Sequence, residues 1–148
     1  MHPSTQYLDF DSLESMCAAA ASWDWGLDFI QLDGGICKSR FQRVDGEVVS
    51  VLRLEVGRRI LQRGQAPPGL ITFGIAANCI GDMSWNIRDV DSAMLLEFAT
   101  GSEFEGISSS GFVCYTLNFK PEKLAAVAEN HGINVCVDQM GVIDRVTP

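Results

Sequence analysis

Two histidines, five cysteines and a serine-rich turn are the side chains of this sequence that chemistry would recruit first. A catalytic metal in a small β-barrel needs about three protein ligands, usually a His-x-His pair with a carboxylate and a further His. His2 lies in the terminal segment and His131 on the apolar side of a C-terminal helical pattern, so no such set forms. His131 reads as a core or interface histidine, and no metal or other cofactor is expected. The run Gly106-Ile107-Ser108-Ser109-Ser110-Gly111 misses G-x-S-x-G by one position and falls between strands, where a strand-to-helix elbow would be required. It is read as a polar hairpin loop. Cys114 with His131 would supply a nucleophile and a base, but apolar neighbours raise a thiol pKa rather than lower it. Glu103 and Glu105 share one face of a strand and would suit paired-acid work, yet their types favour a solvated rim. Phosphate loops of the G-x-x-x-x-G-K or G-x-G-x-x-G type are absent. No catalytic residue is assigned, and an enzyme is not expected.

What the sequence does supply is material for an apolar interior. Phe41, Phe73, Trp85, Phe98 and Phe112 are placed to line the inside of a barrel, and Trp23 and Trp25, flanking Asp24, to lid its mouth. The partner such a lining suits is a small apolar or aromatic effector. Leu124, Val127, Ala128 and His131 form a stripe on one helical face, which would serve a homodimer interface.

The elements that must position these side chains follow from pattern. Asp11 and Glu14 have capping-box spacing, and Leu13, Met16, Cys17 and Ala20 then recur at helical spacing, predicting an amphipathic helix over about 12–22. From 27 to 119 the texture becomes short β-branched, Leu and Phe runs broken by glycine turns. Strands are predicted near 27–32, 36–44, 47–56, 58–63, 70–77, 84–88, 93–99, 103–107 and 111–119, with Asp45-Gly46 a hairpin signal. Eight or nine strands at this spacing mean a sandwich or barrel. Pro121 opens a second helix over about 121–131 and Gly132 ends it. A last strand is expected at 133–137.

Length and charge bound the rest. At 148 residues, 47% hydrophobic and 20% charged, the chain makes one globular domain, without internal repeats or a linker. A formal charge of −8 argues against direct nucleic-acid binding. The balance is uneven: 38–63 carries seven basic and three acidic residues, while the first 33 hold six acids and no base. The basic strands would dock an acidic partner or simply face solvent, and the interleaving of Lys38, Arg40 and Arg43 with Phe41 favours solvent. No membrane span or secretory leader is expected, and five cysteines without a C-x-x-C pair read as reduced, Cys17, Cys79, Cys114 and Cys136 among apolar neighbours as small buried hydrophobes, so the cytoplasm is the expected compartment.

Across about residues 8–132 the order of several short features resembles the N-terminal domain of AraC-type transcriptional regulators, in the branch with a cupin-like sensing domain. The features are Gln31-Leu32 before a glycine turn, Arg63-Gly64 followed by Pro67-Pro68-Gly69, Phe73-Gly74, Gly101-Ser102-Glu103-Phe104, and Pro121-Glu122 at a helix start. The resemblance implies a mainly β, cupin-like double-stranded β-helix (jelly-roll barrel) with flanking N- and C-terminal amphipathic helices. It further implies a domain that senses an effector or dimerises, with DNA-binding helix-turn-helix units lying beyond it and not in this sequence. An excised domain and a stand-alone relative both fit. Two other readings fit the same residues: a homodimerisation module without ligand, and a metal-free cupin enzyme, which would need a polar pair in its lumen.

Overall fold

The computed structural model describes residues 3–78, 83–91, 94–134 and 141–143. Its first sheet grows from the hairpin that Asp45-Gly46 predicts. Strand β3 (Ser39–Asp45) pairs antiparallel with β4 (Val49–Val56), placing Ser39 opposite Val56 and Asp45 opposite Ser50. Alternation turns Phe41, Leu52, Leu54 and Val56 inward, all buried, and leaves Arg40 and Arg53 on the outer face. Strand β11 (Phe112–Phe119) pairs with β4 and, on its other side, with β6 (Ile71–Asn78), across a register shift between Val113 and Cys114. Thr72 and Asn118 meet in this interior, the Thr72 hydroxyl donating to Asn118 Oδ1 at 2.7 Å with both residues buried. Beyond β6 lie β9 (Leu95–Phe98) and β12 (Gly141–Ile143). The opposite edge is β1 (Ser4–Phe10), paired along its length with β3. The order is β1-β3-β4-β11-β6-β9-β12.

The second sheet runs β2-β5-β10-β7-β8, with β2 at Asp28–Gln31, β5 at Ile60–Gln65, β7 at Ser84–Trp85, β8 at Arg88–Asp89 and β10 at Glu103–Ser108. A close approach sets the start of β5: the Gly57 N–H donates to the Lys38 carbonyl at 2.9 Å, and a Cβ at 57 would lie 2.8 Å from that oxygen. Only glycine fits there.

Helix α1 (Leu13–Ala20) is capped by Ser12, whose Oγ accepts from the Ser15 N–H, one residue later than the Asp11 cap expected. Its Met16 and Ala20, one turn apart, are fully buried in a core with Phe10, Phe29 and Phe41. Helix α2 (Pro121–Asn130) begins with proline in its first turn and ends in a Schellman motif: Ile133 N–H donates to the Ala128 carbonyl and Gly132 N–H, at φ +66°, to that of Glu129.

The mainly β class with two helices is the one expected, but the closed barrel is not observed: among the described residues the two sheets share no ladder. The reason lies in the strand expected at 84–88. Asn86 and Ile87 both take positive φ, 48° and 69°, and fold the segment back as a two-residue hairpin turn, leaving strands too short to bridge the sheets. Strand β1 was not expected at all. Ile133 and Asn134 are not in a strand, and 135–137 of the last expected strand lie outside the described residues, as do His2, Cys79 and Cys136.

The uneven charge is met within the chain. Arg40 pairs with Asp9 at 3.3 Å, and Arg43 reaches both Asp24 at 3.4 Å and Asp45 at 2.7 Å. The Asp33 carboxylate accepts the Arg59 backbone N–H. Two of the acids in the base-free N-terminal segment, Asp9 and Asp24, thus pair with arginines of β3, and Asp33 ties the N-terminal segment to the backbone before β5. No helix among the described residues is long and apolar enough to cross a membrane.

Candidate functional site: a cavity between the sheets

The inward faces of the two sheets leave a cavity of about 90 Å³. Phe41 on β3, Leu52 and Leu54 on β4, Cys114 and Thr116 on β11 and Phe98 on β9 contribute one wall; Gln62 on β5, Trp85 on β7 and Phe104, Gly106 and Ser108 on β10 contribute the other. Phe98 is the centre of the aromatic packing. Its ring meets Trp25 at 5.4 Å between centroids, Trp85 at 5.2 Å and Phe104 at 5.2 Å, each close to edge-on, the arrangement aromatic quadrupoles prefer. Trp23 stacks on Phe41 at 4.4 Å.

Of the residues expected to line an interior, Phe41, Trp85, Phe98, Phe112, Trp23 and Trp25 do so. Phe73 does not. It follows Thr72 and precedes Gly74, both inward, so alternation along β6 sends its ring to the outer face, where it meets Phe119 at 6.1 Å. Trp25 is buried in the wall against Phe98 and Phe104 instead of lidding a mouth. The helical stripe is split: Ala128 is buried and Leu124 half-buried, whereas Val127 and His131 face outward, Val127 at 46% exposure.

Composition alone did not point to Gln62, Phe104 or Ser108. Phe104 was legible, since placing Glu103 and Glu105 on the solvent face sends the residue between them inward. Glu105 is held by Arg63 at 2.7 Å, and Glu103 stands opposite Gln65, so the two carboxylates belong to an exposed outer groove, not to an acid pair. The serine run is not a polar loop throughout: Ser108 and Ser109 are buried, and Ser110 Oγ donates to the Gly57 carbonyl at 2.8 Å.

The chemistry of the wall is narrow. Among its described residues there is no Asp, Glu, His, Lys or Arg. Its one ionisable group is the Cys114 thiol, which burial pushes up to about 11, leaving it protonated at neutral pH. No cluster of three or more His, Cys, Asp or Glu side chains able to hold a metal occurs among the described residues. Three polar atoms in the wall have no hydrogen-bond partner among the described residues: Gln62 Oε1, Trp85 Nε1 and Ser108 Oγ. Each unpaired buried group of this kind costs ~1–3 kcal/mol.

No family model and no curated protein sequence matches the chain. Among solved structures, its fold is similar to that of the AraC-like transcriptional activator CuxR, with a TM-score of 0.55 over 86% of this chain at 12% identity. The chain spans about half of that activator, 51% of its length.

Proposed function

We propose that this chain is the small-molecule-sensing domain of an AraC-like transcriptional regulator, or a stand-alone relative of one, acting in the cytoplasm, with its open sandwich a variant of the cupin-like jelly roll. The observation that carries this reading is the aromatic-walled cavity between the sheets of a fold shared with an AraC-like activator. Its size supports sensing over storage. At about 90 Å³ it is smaller than the ~150 Å³ that admits benzene, so an aromatic effector fits only as wall side chains or sheets move apart. Binding is thereby tied to a change of shape, and the effector's differential affinity for the widened form is what a partner domain would read.

All three tryptophans of the chain line the cavity, so intrinsic fluorescence reports on this site. A panel of small apolar and aromatic compounds should contain some that shift tryptophan emission and raise Tm, since a ligand at ~100 times its Kd adds ~2.7 kcal/mol of stability. A panel in which no compound moves either signal overturns the reading. Self-association through α2 is a second proposal, favoured by the outward Val127 and by Ile133, 58% exposed. Light scattering that finds only monomer at high concentration rejects it.

A further inference from the structure

The unpartnered polar atoms of the cavity define what kind of molecule it takes. Trp85 Nε1–H can only donate, Gln62 Oε1 can only accept, and Ser108 Oγ can do either. Trp85 is 6% exposed and Ser108 4%. They are gathered by the sheet itself. Gly106, in the middle strand β10, stands opposite Gln62 on one side and Trp85 on the other. Its missing side chain leaves a notch: a Cβ at 106 would lie 3.8 Å from Gln62 Cγ and 3.9 Å from Trp85 Cδ1. Ser108 follows on the same inward face, two residues along. Ser109 is buried and unpartnered as well, but it is not among the lining residues and takes no part.

We propose that the cavity selects an uncharged molecule no larger than a single ring, carrying one group that both donates and accepts a hydrogen bond, as a phenol or a lactam does, with that group seated in the Gly106 notch. The inference rests on the cavity being an effector site. The group would accept from Trp85 and donate to Gln62, with Ser108 completing the shell, while the ring lies among Trp25, Phe98 and Phe104. An ion is excluded because the described wall offers no opposite charge, and an unpaired charge in an apolar site is far costlier than a neutral polar group.

Calorimetric titration with toluene, phenol, 2-pyridone and benzoate at neutral pH tests this. Phenol and 2-pyridone should bind at least tenfold more tightly than toluene, and benzoate not at all. Trp85→Phe, which keeps an aromatic wall but removes the N–H donor, should reduce the phenol-to-toluene preference severalfold. Gly106→Ala adds a methyl at ordinary contact distances, so it folds, and it should exclude phenol from the notch in a protein whose Tm does not fall. Equal binding of toluene and phenol, or a preference that survives both substitutions, overturns this inference and leaves the sensing proposal standing. Absence of binding by all four probes, alongside a failed compound panel, removes both.

Discussion

Replacing Ile87 with glycine should stabilise this protein. Ile87 occupies the second central position of the β7–β8 turn at φ 69°, where a type I′ hairpin demands the left-handed region. An L-residue there costs roughly 1–2 kcal/mol, and a β-branched one sits at the upper end of that range. Its side chain is fully exposed, so removing it surrenders no burial. Against the relief stands the greater freedom of glycine in the unfolded chain, roughly 0.5–1 kcal/mol. The net gain is about 1 kcal/mol, or ~2–4 °C in Tm for a domain of this size. Urea unfolding with m held equal, and calorimetry beside it, give the number directly. Ile87→Ala is the control: it keeps Cβ and should recover well under half of the gain. An Ile87→Gly protein no more stable than its parent, with tryptophan emission showing Trp85 still buried, would refute the strain argument.

Two further expectations concern polar pairs. Thr72→Val removes the donor to Asn118 Oδ1 and leaves that buried oxygen without it, so it should cost ~1–3 kcal/mol in urea unfolding, whereas Thr72→Ser, which keeps the hydroxyl, should cost less. At Asp45, burial alone would raise the carboxyl pKa, but hydrogen bonds from Arg43, Ser50 and Ser4 and the Arg43 charge outweigh it and hold it below its ordinary 3.8. The stabilisation is therefore present above that ordinary value and is lost as pH falls through the lower folded one. Because the side chain is about one-third exposed, Asp45→Asn should cost no more than ~1 kcal/mol near pH 6, a gap that narrows as the pH falls below 3.8; a gap of constant size across that range would count against it.

Local signals carried the centre of both sheets. Asp45-Gly46 placed the β3–β4 hairpin, and alternating Leu52, Leu54 and Val56 gave the buried face of β4. The edges were harder. In β1 only Leu8 and Phe10 turn toward the core, and an edge strand with one partner needs little more, so its pattern was too thin to distinguish from a tail. Asn-Ile is a poor hairpin signature because Ile resists positive φ, so a split hairpin read as one strand. For the cavity, aromatic residue type sufficed to find most of the wall, but type does not report which face a strand presents, and Phe73 was misassigned by one step of the pleat. Gln62 and Ser108 were invisible for a different reason: polar side chains are assigned to solvent unless the register of the neighbouring strands is known.

The strand order also governs when this chain can fold during its synthesis. Strand β11 alone joins β4 to β6 in the larger sheet, and β10 alone joins β5 to β7 in the smaller. Both belong to the last third of the sequence, so a nascent chain that has emerged only as far as β9 holds the flanks of two sheets and the middle of neither. Its inward faces, Leu52, Leu54 and the Trp25 cluster among them, stay without cover until Phe119 clears the ribosome. Folding is then a single late event spanning nearly the whole chain, and in the interval before it the polypeptide carries apolar faces open to solvent.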